Sequence, residues 1–149
     1  MPAFSKGGTA RAPFGKNVFL RSTQDVKTES YTVAASTVAT EVIDGVATKV
    51  LQAGEVLAKI TSGGDIGKVG PFQAGVTDGR QTLANIVGLN DTFLPWQLNE
   101  HDVEVAAVYQ CVGVQAWCFE RDAAGARIAL TNTTADACRS VKGLDINFK

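Results

Sequence analysis

The chain has 149 residues, of which 45% are hydrophobic and 19% are charged, and its formal net charge is −1. That length favours one domain with its own hydrophobic core, and so small a net charge gives no global attraction to nucleic acid or to an anionic membrane. No apolar run approaches the roughly 20 residues that a membrane-spanning helix needs. We therefore expect no nucleic acid and no membrane as partners.

The composition favours a mainly β fold. Val, Thr and Ile are plentiful, leucine-rich helical stretches are scarce, and 15 glycines imply many turns. The sequence predicts a single compact β-rich domain over residues 25–149, with one or two short helices, preceded by a flexible N-terminal arm over residues 1–24.

The predicted arm is basic and rich in small residues. Residues 1–24 contain four basic side chains and no acidic one, with glycine and proline spread among them, a composition typical of mobile termini. Such an arm either stays disordered or becomes ordered on a partner. Residues 1–16 contain no continuous apolar run, so we expect no secretory signal and synthesis in a cytosol.

In the first half of the domain, turn signals separate short β-prone segments. Residues 31–39 are rich in Thr, Val and Ala and are predicted to form a strand. Asp44-Gly45 lies between two apolar dipeptides and is typical of a two-residue hairpin turn. Residues 56–60 are predicted to form a strand after a glycine turn, and Gly70-Pro71 indicates a strand at a sheet edge.

In the second half, residues 81–89 are predicted to be a strand because they combine β-branched residues with a glycine. Residues 102–119 have the strongest β signal, and their apolar positions change parity midway, which predicts a bulge or a hairpin near residues 110–113. One short helix is predicted to begin at Thr134, its N-cap, and to end at Gly143. The alternation in residues 144–148 predicts a final half-buried strand.

The sequence contains no recognisable catalytic set. His101 is the only histidine, it lies in a polar stretch that predicts a turn, and no nucleophile-elbow motif occurs. Cys111, Cys118 and Cys138 lack metal-ligand spacing, and on one unbroken strand the first two would face opposite sides. We expect all three to be reduced and buried, and we expect a protein that is not an enzyme and that has no cofactor and no metal.

Three segments, in a fixed order, resemble a known family. They are residues 53–61 (Ala-Gly-Glu-Val-Leu-Ala-Lys-Ile-Thr), residues 67–72 (Gly-Lys-Val-Gly-Pro-Phe) followed by residues 77–87, and residues 102–109 running on to Gly113. They are similar to blocks of the lambda-type bacteriophage head decoration proteins, and residues 135–146 resemble the end of those proteins. The family's arginine before Gly113 is absent here, where Cys111-Val112 stands instead.

The resemblance implies a structural protein that stabilises a capsid. Proteins of this family are compact β-rich domains that assemble as homotrimers on the outer surface of the expanded phage capsid and bind the major capsid protein, partly through an N-terminal arm. The chain would then be a virion protein, made in the host cytoplasm, that cements the shell against internal DNA pressure. The capsid-binding residues expected in the arm are three aromatic anchors and three cations: Phe4, Phe14, Phe19, Lys6, Arg11 and Lys16.

A β-rich adhesion or glycan-binding module displayed on a virion is the alternative function. Such a module needs an aromatic platform, for which Trp96, Trp117 and Tyr109 are the candidates. Trp117 lies in the strongest predicted strand and is expected to be buried. Trp96 lies beside a proline in an irregular segment and is expected to be exposed.

Overall fold

The computed structural model describes residues 19–22 and 24–149. The fold is mainly β, as predicted, and its single α-helix lies near the end of the described chain. The strands and the helix are, in chain order, β1 (Lys27–Val33), β2 (Thr40–Ile43), β3 (Val46–Lys49), β4 (Val56–Lys59), β5 (Val69–Pro71), β6 (Ile86–Asn90), β7 (Val103–Gly113), β8 (Phe119–Arg121), β9 (Arg127–Ala129), α1 (Asn132–Ser140) and β10 (Asp145–Phe148).

Five of the strands form a closed barrel. Their order is β1-β5-β4-β6-β7, and β1 also pairs antiparallel with β7, which closes the sheet on itself. β10 extends the sheet by pairing in parallel with the last part of β7. Two separate two-stranded sheets, β2-β3 and β8-β9, complete the architecture.

Three of the barrel strands, β4, β5 and β6, are buried on both faces except at Lys59, whereas most of β1 is exposed. In β4, Leu57 packs inside the barrel, whereas Val56 and Ala58 pack in an outer cluster that also contains residues of α1 and β10. This double burial explains why β4 and β6 read as continuous apolar runs rather than as an alternation of apolar and polar residues.

β7 contains the bulge that the change of parity predicted. Thr28 lies opposite Val108 and Lys27 lies opposite Gln110, so Tyr109 is the extra residue. Before the bulge, Ala107 packs inside the barrel, and after it Cys111 packs in the outer cluster. The strand continues without reversal to Gly113, so the hairpin alternative is wrong.

Two predicted strands are shorter than expected. After β1, residues 35–37 form a 3₁₀ turn, and the amide of Ala35 donates to Asp102 Oδ1 at 2.8 Å. Residues 83–85 also form a 3₁₀ turn before β6 begins, and Asn85 Nδ2 donates to the Gly79 carbonyl at 2.8 Å. In both cases a polar contact with a distant segment or loop competes with strand pairing.

The helix begins earlier than predicted. Thr131, not Thr134, is the N-cap, because its Oγ1 accepts the amide of Thr134 at 3.3 Å. Thr134 is buried inside the first turns of α1. Gly143 follows the helix in the left-handed region, at φ +92, and the predicted final strand is β10, with Ile146 fully buried.

The three cysteines are free and buried, as expected. All three lie in the outer cluster, so Cys111 and Cys118 are not on opposite faces of one unbroken strand. The reason is that β7 ends at Gly113 and a 3₁₀ turn over residues 115–117 redirects the chain. Desolvation by burial raises the pKa of Cys111 to about 11 and that of Cys138 to about 12.

The first described residues belong to the folded domain. Phe19 is fully buried in the outer cluster, and its carbonyl accepts the amide of Val114 at 2.8 Å. The amide of Arg21 donates to the Val112 carbonyl at 2.9 Å. Phe19, one of the three aromatic anchors expected in the arm, therefore packs its ring in the protein's own core.

Candidate protein-contact surface

The β2-β3 hairpin is the most exposed apolar element among the described residues. Its turn, Asp44-Gly45, has φ values of 53 and 80, the combination that a two-residue type I′ turn requires and that glycine adopts without strain. Ile43 lies opposite Val46 across the turn. The hairpin predicted from the Asp-Gly signal is confirmed.

The tip of this hairpin exposes aliphatic side chains. Val42, opposite Ala47 on one face of the ribbon, is 72% exposed, and Val46, opposite Ile43 on the other face, is 63% exposed. Trp96, which follows the Pro95 that is bonded to Thr48 at the root, is 54% exposed. A single exposed apolar residue is ordinary, but several on one protruding element are typical of a contact surface. We call Val42, Val46 and Trp96 the hairpin surface.

The root of the hairpin is fixed on its β2 side by an arginine. Arg127 Nη2 lies 2.9 Å from Glu41 Oε2 and donates to the Val50 carbonyl at 3.1 Å. Arg121 Nη2 donates to the same carbonyl at 2.9 Å. At the root of the hairpin, Glu41 in β2 and Val50 after β3 are thus both bonded to arginines of the β8-β9 sheet.

Polar contacts fix the β3 side and bring Trp96 next to it. Thr48 Oγ1 donates to the Pro95 carbonyl at 3.0 Å. Asn99 Oδ1 accepts the amide of Lys49 at 2.8 Å, and Lys49 Nζ donates to the Ala35 carbonyl at 2.7 Å. The apolar tip thus stands on a root that is held on both strands, which presents it in one orientation.

A buried ionic cluster lies beneath the root. Glu55 is 0% exposed and Arg121 is 2% exposed. Arg121 Nε lies 2.7 Å from Glu55 Oε1, and Arg127 Nε lies 3.0 Å from Glu55 Oε2. The amide of Gln52 donates a further bond to Glu55 Oε2 at 2.7 Å. With these partners the enclosed carboxylate is paired and hydrogen-bonded, which burial of a charge requires.

A second ionic group joins two loops at the surface. Lys68 Nζ lies 2.6 Å from Asp102 Oδ2 and 3.0 Å from Asp65 Oδ1. The hydrogen bond from Lys68 lowers the pKa of both carboxyl groups, and the amide of Ala35 lowers the pKa of Asp102 further. Because these three partly exposed charges pair with one another, they link the two loops structurally.

The residues predicted to bind a partner fall in different places. Phe4, Lys6, Arg11, Phe14 and Lys16 lie outside the described residues, and Phe19 lies in the core.

The predicted aromatic platform is only partly as expected. Trp96 is exposed as expected, whereas Trp117 is 50% exposed and not buried, because it lies in the turn after β7 rather than on a strand. Tyr109 is the half-buried bulge residue of β7. The three aromatic residues therefore belong to three different elements.

The hairpin is predicted from the sequence, but the exposed apolar side chains at its tip are not. A signal was present, since the dipeptides on both sides of the turn, Val42-Ile43 and Val46-Ala47, are apolar on both faces. A ribbon with an inner and an outer face alternates apolar and polar residues. The lack of alternation indicates that both faces of the tip are apolar.

No match to this chain was found among family models, curated proteins or solved structures. Across residues 19–22 and 24–149, no group of three or more His, Cys, Asp or Glu side chains is arranged to hold a metal ion. In the same part of the chain, no helix has the length and apolarity to span a membrane.

Proposed function

We propose that the chain is a structural virion protein that binds the outer surface of an expanded phage capsid as a homotrimer and stabilises the shell. The observation that carries the proposal is the hairpin surface, an apolar tip of Val42 and Val46 on a fixed root. Exposed aliphatic side chains held in one orientation favour contact with another protein.

The resemblance to the head decoration proteins supports this reading. The resembling segments are distributed over the fold as β4, β5, β6 and β7, four of the five barrel strands. The resembling end segment contains most of α1 and the start of β10, which cover the outer cluster. The resemblance therefore covers the body of the domain rather than one peripheral motif.

The proposed role needs binding and no chemistry. Packed DNA presses outward on a capsid, and a protein that bridges neighbouring subunits of the expanded shell stabilises that state by mass action. A ligand present at about 100 times its Kd contributes about 2.7 kcal/mol per site. The arm cations Lys6, Arg11 and Lys16 would meet acidic capsid surface.

Co-sedimentation with undecorated capsids of the source phage tests the proposal. The chain is mixed with expanded and with immature shells, alongside a version lacking residues 1–18 and a Val42→Ser/Val46→Ser variant. The truncation stops before Phe19 so that the core stays intact. Ile66→Ser is the matched control, because Ile66 is 64% exposed in a different loop.

The expected result is saturable binding to expanded shells only. We expect weaker binding for the truncated chain and for the hairpin variant, and unchanged binding for Ile66→Ser. If none of the forms binds expanded shells, the proposal fails. Binding to a glycan array without any capsid affinity would then favour the adhesion module.

A further inference from the structure

A cleft of about 170 Å³ opens at one mouth of the barrel. Its walls come from four barrel strands and from the segment between α1 and β10. It shares no residue with the hairpin surface. The side chains of interest are two tyrosines, two lysines and one glutamate: Tyr31, Tyr109, Lys59, Lys142 and Glu29.

Two irregularities of the barrel shape this cleft. Tyr109 is the extra residue of the β7 bulge, and Val87 is the extra residue where β6 pairs with β4. Both side chains line the cleft. Bulges redirect side chains and are common beside functional sites.

Gly88 allows β6 to pack closely against β7. Gly88, at φ +148, packs so closely on β7 that a Cβ would collide with the Val108 carbonyl. A side chain at this position would push β6 away from β7, next to Val87 and Tyr109. The distortion is therefore built into the sequence.

The polar groups in the cleft have complementary roles. Tyr31 donates its hydroxyl to Glu29 Oε1 at 3.1 Å, which orients both side chains. The hydroxyl of Tyr109 and the ammonium groups of Lys59 and Lys142 form no hydrogen bond or ion pair within the described part of the chain. The cleft thus presents two ammonium groups without an ion-pair partner, one carboxylate that accepts from Tyr31, and two aromatic rings.

We infer that this cleft binds the terminal residue of an acidic saccharide, a sugar ring that carries a carboxylate. Tyrosine rings pack against the apolar faces of sugar rings and their hydroxyls bond to sugar hydroxyls. The lysines supply charge-assisted bonds to the carboxylate, and Glu29 accepts from ring hydroxyls. The cleft is smaller than the 300–1,000 Å³ typical of drug-sized ligands, which suits one terminal sugar. This site would give the protein a second binding function, independent of capsid attachment.

Titration of the free full-length chain tests the inference. The probes are methyl glucuronide, neutral methyl glucoside, inorganic phosphate and an N-acetylated glutamate amide, with binding followed by NMR. The variants are Lys59→Met and Lys142→Met, both at exposed positions, so the fold is retained. Lys27→Met is the matched control, because Lys27 is also exposed and lies outside the cleft.

We expect glucuronide to bind about tenfold more tightly than glucoside, and each cleft lysine variant to lose about tenfold in glucuronide affinity. Lys27→Met should bind like the unmodified chain. Equal binding of phosphate or of the glutamate amide would overturn the saccharide assignment, as would lysine variants that bind normally. Capsid co-sedimentation of the lysine variants is expected to be unchanged, which separates this inference from the proposed function.

Discussion

At the scale of single residues, the enclosed pair of Glu55 and Arg121 makes the sharpest prediction. Arg121→Met would leave Glu55, at 0% exposure, with one fewer cation, and breaking such a buried pair typically costs about 3–5 kcal/mol. Urea unfolding followed by circular dichroism measures the loss.

The control for this change is Arg139→Met. Arg139 pairs with Asp136 at 2.7 Å, but the two side chains are 48% and 70% exposed, so we expect a loss of less than about 1 kcal/mol. Similar losses in the two variants would contradict the view that burial makes the Glu55 pair important.

The buried thiols predict a loss of stability at alkaline pH. Cys111 has its pKa raised from 9.0 to about 11 by burial, so its protonated form is favoured in the folded state. Its contribution to the free energy of unfolding is complete below pH 9 and is lost as the pH rises through about 11. Urea unfolding at pH 8 and pH 10.5 should show a smaller pH-dependent loss for Cys111→Ala than for the unmodified chain. A loss of the same size in both would contradict the prediction.

Residue burial was the least predictable property. The sequence predicts Trp117 in the core because its neighbours look like a strand, and it places Phe19 in a flexible arm that binds a partner. Composition around a residue reports its local environment in the chain, whereas burial depends on which distant segments pack against it. Phe19 is buried because it lies beside the end of β7.

At the scale of elements, the N-cap of α1 is the clearest test of local structure. Thr131→Ala removes the side chain that accepts the Thr134 amide, and such a loss costs about 1 kcal/mol. Thr133→Ala is the control, since Thr133 is exposed in the same turn. Thermal unfolding should show a lower Tm for Thr131→Ala alone, and an equal decrease for Thr133→Ala would refute the cap assignment.

Elements that are specified by their own residues could be predicted from the sequence. Asp44-Gly45 determined the hairpin, and the alternation around Ile146 determined β10. The segment over residues 81–89 was only half correct, because the Asn85 side chain bonds to the Gly79 carbonyl and favours a 3₁₀ turn there. The helix start was displaced because Thr131 and Thr134 are both acceptable caps, and the choice depends on Glu120, which accepts the Thr131 hydroxyl at 3.0 Å.

At the scale of the whole molecule, Phe19 already belongs to the folded domain, since its side chain is fully buried. Deleting residues 1–18 should leave the free energy of unfolding nearly unchanged. Deleting residues 1–24 removes Phe19 from the core, and loss of a buried phenylalanine side chain typically costs about 3–5 kcal/mol. Urea unfolding of the two truncated chains measures the difference, with Phe19→Ala in the full-length chain as the reference. Equal stability of the two truncated chains would show that Phe19 contributes little.

The β class was predictable from composition, but the closed barrel was not. Closure depends on β1 pairing in parallel with β5 and antiparallel with β7. Neither pairing has a signature in neighbouring residues, since any apolar strand is compatible with several partners. The bulge at Tyr109 is the exception, because the parity change that marks it is local.

A barrel closed by its first and seventh strands cannot fold in step with translation. β1 emerges from the ribosome well before β7, its longest partner, and at about 5–20 residues per second the wait is on the order of seconds. During that time β1 is an unpaired edge, open to aggregation. Its charged residues Lys27 and Glu29, among Thr and Ser, discourage pairing with other nascent chains. The polar and charged residues of β1 thus keep this strand soluble until β7 is available to pair with it.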